Sequence, residues 1–240
     1  MNKRGSHVGV ILSFVIFVTF VIFLYLILSP ELITERDKES FLDYLRYQLM
    51  DEFSTNLTSI TVSVDGSAEC VVLKDFFNEA DIGSKVIVKD DEGEISDFYI
   101  SLSNEDDLVI DSSKGFFKVY EADEFEELSK ISLDGLGCTE LTNENGYSIT
   151  LIRETKYVFE SKVLKILDDY NDDESYKNLI ENLKVSEEND FGFNFIYSDE
   201  TVIETKERGT PGNVYVREIP VEYVDKEANI LLGKVNIKVW

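Results

Sequence analysis

The sequence predicts an α+β protein. We expect an amino-terminal transmembrane helix that continues into an amphipathic helix, followed by a mainly antiparallel, β-rich head with a short pair of helices. An uncharged apolar run covers residues 8–28, apolar residues then recur at helical spacing up to Phe53, and apolar and polar residues alternate over much of the chain after Asn56. The predicted segments are a short cytoplasmic leader (1–5), the transmembrane helix (6–30), the amphipathic helix (31–55) and the extracytoplasmic head (56–240).

The apolar run from Val8 to Leu28 contains no charged residue and no proline. At about 1.5 Å per residue, a helix of this length covers roughly 30 Å, which is the thickness of the hydrocarbon core of a bilayer. The run is longer than the apolar core of a cleaved secretory signal, and no small-residue cleavage site follows it. We therefore expect a retained helix that anchors the protein in the cell membrane with a single pass.

The positive charges near this helix do not settle its orientation. Lys3 and Arg4 precede it, whereas Arg36, Lys38 and Arg46 follow it closely. Long domains, however, often cross the membrane regardless of the charges beside the helix. We expect the amino terminus to be cytoplasmic and the bulk of the chain to be extracytoplasmic.

Two features are compatible with an extracytoplasmic head. The chain has two cysteines, Cys70 and Cys138, and in an oxidising compartment such a pair predicts a single disulfide. The sequence Asn56-Leu57-Thr58 is a sequon, which makes Asn56 a candidate for N-glycosylation, although a lone sequon also arises by chance.

Ser29-Pro30 is predicted to interrupt the helix where it leaves the bilayer, because proline cannot donate a helical hydrogen bond and restricts the residue before it. A second helical segment is predicted from about residue 35 to residue 53. Its apolar positions lie three and four residues apart and form one stripe: Phe41, Leu42, Leu45, Leu49 and Phe53. We expect this stripe to pack on the sheet of the head. Packing between the helices of an assembled fibre is the alternative.

The head is predicted from alternating runs that are bounded by turn signals. Asp65-Gly66 predicts a hairpin between the strands 57–64 and 68–75. Pro220 cannot donate to a sheet ladder, so its strand is expected to lie at an edge or to be bulged there. The other predicted strands are 84–90, 97–102, 107–111, 115–122, 147–154, 191–198, 201–207, 213–224 and 229–240, and a turn at 225–229 joins the last two.

The helical pair of the head is predicted over about 157–169 and 173–184. Asp172 or Asp173 is expected to cap the second helix, because a short carboxylate accepts well from the free N–H groups of the first helical turn. The apolar face of that helix is expected to consist of Leu179, Ile180 and Leu183.

The charge of the chain is strongly acidic. It carries 48 acidic and 23 basic residues, which gives a formal net charge of −25. Such a surface repels nucleic-acid phosphates and anionic lipid head groups, so no nucleic-acid partner is expected. It favours solubility and attracts cations or basic partners.

No catalytic or metal-binding motif is recognisable. The only histidine, His7, precedes the transmembrane helix, so the head cannot use a histidine-activated nucleophile. The acidic turns at 90–93 and 143–146 do not fit the spacing of an EF-hand and are interpreted as structural turns. The acidic runs 123–127 and 168–174 are interpreted as solvated helix ends. We therefore predict no catalytic residue, no metal, no cofactor and no enzymatic activity.

The opening "KRGSHV" and the apolar run after it resemble the class III signal of archaeal type IV pilins and pilin-like surface proteins. In that family a membrane peptidase on the cytoplasmic side cuts after a small residue that follows a basic one, and the helix is retained. The resemblance implies a cut between Gly5 and Ser6, with Arg4 as the basic residue. Many pilins carry glutamate at the fifth mature position, where this chain has Val10. An uncleaved signal anchor, held inside by Lys3 and Arg4, is the alternative.

The order of parts also resembles that of pilins. Over its whole length, through the opening "KRGSHV" and the closing "NIKVW", the chain resembles an uncharacterised family of archaeal membrane proteins that has no assigned activity. The resemblance implies a pilin-like or surface-assembly subunit with a structural or interaction role, which joins copies of itself or other pilin-like subunits through its amino-terminal helix. The alternative is a monomeric, membrane-anchored binding or accessory module without pilin-type processing.

Overall fold

The computed structural model describes residues 5–65, 68–111, 115–186, 190–209 and 213–240, and within the first helix it describes the side chains of 8–27 and 37–53. The helices are α1 (Gly5–Phe53), α2 (Phe76–Ala80), α3 (Glu160–Asn171) and α4 (Asp173–Asn182). The strands are β1 (Ser54–Val64), β2 (Val71–Leu73), β3 (Val86–Asp90), β4 (Asp97–Ser101), β5 (Leu108–Asp111), β6 (Phe116–Glu121), β7 (Lys130–Ile131), β8 (Thr139–Leu141), β9 (Tyr147–Phe159), β10 (Phe191–Ile196), β11 (Val202–Glu204), β12 (Tyr215–Val224) and β13 (Ile230–Val239). An amino-terminal helix followed by mainly antiparallel sheets and a few helices confirms the predicted fold class.

The first helix is continuous over 49 residues, so the predicted interruption at Pro30 is wrong. A proline inside a helix removes one backbone hydrogen bond and costs roughly 3 kcal/mol, which bends a helix more readily than it ends one. The uncharged apolar run favours helix before Pro30, and burial against the head holds the helix after it. The helix ends at Phe53 and β1 begins at Ser54, two residues before the predicted end of the amphipathic segment.

Eight strands form the larger sheet, in the order β11-β10-β13-β12-β9-β1-β6-β3. Its antiparallel pairings are interrupted by one parallel contact, which joins Tyr223 and Val224 of β12 to Val158 and Phe159 of β9. This short contact divides the sheet into two four-stranded parts. Strands β1 and β9 are paired along the whole of β1, with a bulge after Thr61.

Five short strands form the smaller sheet, in the order β7-β4-β5-β2-β8. Here β2 pairs with β5 and β8, whereas β1 pairs with β6 and β9 of the larger sheet. The predicted hairpin between strands 57–64 and 68–75 is therefore wrong, and its turn residue Gly66 lies outside the described residues. Alternation of residues specifies which face of a strand is buried, but it does not specify the partner strand.

We call the last part of α1 (37–53), together with α3, α4 and β10 to β13, the proximal half of the head. The apolar stripe of α1 is buried in it: Leu45, Leu49 and Phe53 have no exposed surface. They belong to one core with the inward side chains of β10, β12 and β13, and the ring of Phe53 lies 5.3 Å from that of Phe193. The prediction that the stripe packs on the head's own sheet is confirmed.

The carboxy terminus is fixed in the same half. Nε1 of Trp240 donates to the carbonyl oxygen of Arg208 at 3.1 Å, and Nζ of Lys38 on α1 donates to the carbonyl oxygen of Trp240 at 2.9 Å. The guanidinium group of Arg208 lies 3.7 Å from the centroid of the Tyr176 ring, a cation–π contact with α4. The last residue of the chain is thus held against the helix that begins it.

The helical pair covers one side of the proximal half. Helix α3 begins at Glu160, three residues later than predicted, because β9 continues up to that residue. Helix α4 is capped by Asp172, whose carboxylate accepts from the backbone N–H of Ser175 at 2.8 Å, so the predicted cap is confirmed. This hydrogen bond holds the pKa of Asp172 below its usual value. Leu179 and Leu183 are buried on the predicted apolar face.

Strands β12 and β13 form the predicted hairpin. Asp225 and Asn229 close its turn, with the N–H of Asp225 donating to the carbonyl oxygen of Asn229 at 3.1 Å. Pro220 is exposed and lies outside the short pairing of β12 with β9. At Pro220, β12 is therefore an edge strand within the described part of the sheet, as expected.

We call residues 58–153 the distal half of the head. Its core lies between the smaller sheet and strands β1, β3 and β6, and it includes Ile60 and Ile110, which have no exposed surface. The structure joins Cys70 and Cys138 in a disulfide, with a sequence separation of 68. The two cysteines immediately precede β2 and the edge strand β8, so the bond closes a loop that contains most of the smaller sheet.

A buried carboxylate holds two loops of the distal half together. Asp107 has no exposed surface and accepts from Nζ of Lys74 at 2.6 Å, from the backbone N–H of Asp75 at 3.0 Å and from Nδ2 of Asn104 at 2.8 Å. The hydroxyl of Tyr147 donates to the carbonyl oxygen of Lys74 at 2.9 Å. The hydrogen bond to Asp107 raises the pKa of Lys74, and burial raises the pKa of Tyr147 to about 12.

Candidate functional site

The apolar segment of α1, Val8–Ile27, is long and apolar enough to cross a membrane, and none of it is buried against the head. Large side chains such as Phe14 and Phe17 are exposed all around it. The hydroxyl of Thr19 donates to the carbonyl oxygen of Val15 at 2.8 Å, so this polar group is satisfied inside the helix. An exposed apolar surface of this extent needs lipid or other apolar helices around it.

Two small residues share one face at the start of this segment. Gly9 and Ser13 lie four residues apart, so they share a face of the helix. A Cβ atom at Gly9 would meet no atom within 4 Å. Because small residues let two helix backbones approach closely within a membrane, this face is the one best suited to a second helix.

The predicted processing site lies at the start of α1. Gly5 is the first residue of the helix and Ser6 is the second, so the predicted cut falls in its first turn. Arg4 and the side chain of Ser6 lie outside the described residues.

The glycosylation candidate lies on a paired strand rather than on a loop. Asn56 is in β1, opposite Lys156 of β9, and its side chain is exposed. Its Nδ2 donates to Oε1 of Glu154 at 2.6 Å. The amide nitrogen of the sequon therefore already has an acceptor in the folded head.

A cleft of about 770 Å³ lies between the two halves of the head. The distal wall consists of β3, β4 and the segment 124–129, and the proximal wall consists of the start of α3 and the segment 224–226. Its floor is part of a small buried cluster that joins the two halves, in which the rings of Phe125 and Phe159 lie 5.9 Å apart. This volume and this apolar floor are typical of ligand-binding sites in proteins.

The rim of the cleft is acidic. Its charged side chains are Glu124, Glu126, Glu127, Glu160 and Asp225, with Lys226 as the basic one. Among the described residues, other acidic side chains form ion pairs, such as Asp43 with Arg217, but none of these five does.

The five carboxylates differ in their hydrogen bonds. Glu124 accepts from the hydroxyl of Ser161 at 3.2 Å, and Asp225 accepts from backbone N–H groups of its own turn. Burial raises the pKa of Tyr197, and a hydrogen bond to Glu160 raises it further. All of these donors are neutral, so the negative charge of the rim is not compensated by them.

A buried polar contact also joins the two halves beside the cleft. Nζ of Lys89 on β3 donates to Oδ1 of Asn229, in the turn between β12 and β13, at 2.6 Å. Lys89 is almost fully buried, and its burial lowers its pKa, although Asp225 and Glu227 oppose this effect. Together with the apolar cluster of the floor, this contact determines how the walls of the cleft face each other.

The sequence does not predict this cleft. Residues 123–127 form a turn followed by irregular chain, so their interpretation as a solvated helix end is wrong, whereas 168–174 does lie where α3 ends and α4 begins. One residue of the sequence could have indicated the cleft. Phe125 is an aromatic residue inside an acidic run, and it is buried in the cluster at the floor.

The described residues contain no group of three or more histidine, cysteine, aspartate or glutamate side chains arranged to hold a metal ion. The comparisons with known proteins find no matching family model, no matching curated protein and no matching solved structure.

Proposed function

We propose that this chain is a single-pass, membrane-anchored extracytoplasmic protein that acts as a pilin-like or surface-assembly subunit. Its role is structural or interactive rather than catalytic. The apolar segment of α1 lies in the membrane, and the acidic head lies outside. In assembly, the same segment contacts copies of this chain or other pilin-like subunits.

The observation that carries this proposal is that one continuous helix is buried in the head at its end and exposed along its apolar segment. Residues 42–53 of α1 contribute Leu45, Leu49 and Phe53 to the core of the head, whereas no part of Val8–Ile27 is buried against the described part of the head. The stripe in the head is therefore not available for contacts between subunits. If α1 joins subunits, it does so through its apolar segment, where Gly9 and Ser13 allow close approach.

An extracytoplasmic head is supported by the disulfide between Cys70 and Cys138, since such bonds persist in oxidising compartments. The monomeric anchor without processing is the competing function, and the hydrophobic Val10 at the fifth mature position favours it. The two differ in the amino-terminal residue of the membrane protein and in whether two α1 helices touch.

The first experiment is intact-mass and amino-terminal analysis of the protein extracted from its native membrane. Pilin-type processing yields Ser6 as the first residue, and a substitution of Gly5 by leucine blocks the cut. If the native protein begins at Met1 or Asn2, pilin-type processing does not occur and the chain is a simple anchor.

The second experiment tests contact between helices. A cysteine introduced as Ser13→Cys is expected to form a disulfide between two copies when native membranes are oxidised. Ile11→Cys, which lies on the opposite face of α1, is the matched control and is expected to cross-link much less. Equal yields from the two variants, or no dimer from either, would contradict assembly through this face.

A further inference from the structure

The cleft between the two halves has properties that anchoring and assembly through α1 do not use. Its apolar surface reaches the solvent: Ile95 is 48% exposed and Leu164 is 38% exposed, and both line the cleft above the buried Phe125 and Phe159. Apolar side chains exposed in a concave site lower their free energy when an apolar group of a ligand covers them.

The charge of the rim restricts the chemistry of that ligand. Glu126 and Glu127 form no hydrogen bond and no ion pair with the described residues, and the three other acidic side chains of the rim have only neutral donors. Carboxylates beside a low-dielectric floor attract a cation more strongly than carboxylates on an open surface do. They also repel phosphates and carboxylates. The complementary ligand therefore carries positive charge next to apolar groups.

The distal wall also offers an unpaired strand edge. Strand β4 pairs with β5 at Phe98 and Tyr99, but on its other side it pairs with β7 only at Ile100 and Ser101. The N–H of Ile100 donates towards the β7 side and that of Ser101 towards the β5 side. The main-chain groups of Phe98 therefore face the open side, and those of Tyr99 face β5. Within the described residues, the edge at Phe98 has no strand partner, and Phe98 and Tyr99 both line the cleft. A free strand edge binds an extended peptide through main-chain hydrogen bonds, while neighbouring pockets take alternate side chains.

We propose that this cleft binds an extended peptide segment of a partner protein in which lysine or arginine alternates with apolar side chains. The peptide lies along the edge of β4, its apolar side chains cover Ile95 and Leu164, and its cationic groups meet Glu126 and Glu127. Since both walls contribute, the bound segment connects the two halves of the head. All of these residues lie in the head, so the inference does not depend on processing or on assembly through α1.

The test uses the full chain in detergent micelles and a fluorescein-labelled peptide in which two lysines alternate with leucine, phenylalanine and valine. A second peptide has glutamate in place of both lysines, and a third keeps the lysines but replaces the apolar residues with serine. Fluorescence anisotropy gives the dissociation constants. We expect saturable binding of the first peptide and at least about tenfold weaker binding of the other two.

The matched variants separate the cleft from the general acidity of the protein. Glu126→Gln with Glu127→Gln is expected to weaken binding of the lysine peptide by about tenfold, because two rim charges are lost. The control, Glu181→Gln with Glu222→Gln, removes two exposed charges elsewhere on the head and is expected to leave the affinity unchanged. Leu164→Ala reports the apolar part of the site and is expected to weaken binding about threefold.

Three results would overturn the inference: no saturable binding of the lysine peptide, equal weakening by the two double variants, or binding of the serine peptide as tight as that of the apolar one. Near-native circular dichroism of each variant identifies a loss of binding that is caused by misfolding. If a variant fails this criterion, the dissociation constants of the lysine and glutamate peptides for the wild-type protein still test the charge requirement, because that comparison needs no substitution.

Discussion

The two halves of the head are closed in different ways. The proximal half is built from the two ends of the sequence, and the hydrogen bond between Lys38 and Trp240 spans 202 positions. The distal half is one continuous segment whose ends are joined by the β1–β9 ladder, and within it the disulfide closes a loop across a separation of 68. The first half therefore relies on burial of a helix stripe that arrives from far away in sequence, and the second adds a covalent bond to its own ladder and core.

The smaller sheet of the distal half has shorter strands than the β12–β13 hairpin of the proximal half. Strands β12 and β13 of the proximal half have 10 residues each, whereas β2, β7 and β8 of the distal half have three, two and three residues. Short strands form few ladder hydrogen bonds and bury little apolar surface. We therefore expect the smaller sheet to depend on the disulfide more than the β12–β13 hairpin depends on any single bond.

Two probes, used together, distinguish the unfolding of the two halves. Trp240 is the single tryptophan and lies in the proximal half, so its fluorescence reports that half. Far-ultraviolet circular dichroism reports both. Denaturant transitions that coincide indicate one cooperative unit, and transitions that separate indicate two.

The largest effect is expected from removing the disulfide. Replacing both cysteines, by Cys70→Ser and Cys138→Ser, releases the closed loop and is expected to destabilise the distal half by about 4 kcal/mol on the chain-entropy model. The circular dichroism transition should move to lower denaturant, while the Trp240 transition stays close to its original midpoint. If both transitions moved together, the two halves would be one unit and the comparison would fail.

A smaller effect, in the other half, is expected from Leu49→Ala. Leu49 is fully buried between α1 and the sheet, so its truncation leaves a cavity and is expected to cost about 3 kcal/mol. The Trp240 transition should shift to lower denaturant. Leu232→Ala is the control, because Leu232 is largely exposed on β13 and its loss should change stability by less than about 0.5 kcal/mol. A Trp240 transition that did not move would show that the stripe of α1 does not support the proximal half.

The smallest effect is expected at alkaline pH. The pKa of Tyr147 is raised from 10.0 to about 12 in the folded protein, so between these values the folded state keeps a proton that the unfolded state has lost. Its contribution to stability is complete below pH 10 and is lost as the pH rises through 12, by about 2–3 kcal/mol in the limit. The raised pKa of Lys74 acts in the same direction above pH 10.5.

The measurement is the free energy of unfolding at several pH values between 9 and 12 by circular dichroism. Tyr147→Phe should cost about 1 kcal/mol at neutral pH, through the lost hydrogen bond to Lys74, and should flatten the alkaline decline. Tyr47→Phe, at an exposed position of α1, should leave the decline as it is. An unchanged slope in Tyr147→Phe would show that this tyrosine does not couple the distal half to pH.

Much of the local structure follows from local patterns. The apolar run, the stripe from Leu42 to Phe53, the cap at Asp172 and the turn at 225–229 each depend on residues a few positions apart. Periodicity and turn chemistry are short-range properties, so they can be predicted from the sequence. The cleft follows from no such pattern, because its walls come from β3, β4, α3 and the turn after β12, which lie far apart in the chain.

By itself, the sequence determines an amino-terminal helix that is apolar enough for a membrane, an acidic β-rich head, and the apolar faces of the last part of α1 and of α4. Only the tertiary structure decides that α1 continues through Pro30, that β1 pairs with β6 and β9 rather than β2, and that Phe125 and Phe159 meet beneath an acidic rim. The reason is physical. Local patterns specify what must be buried, but the partner that buries it is chosen by packing between segments that are distant in sequence.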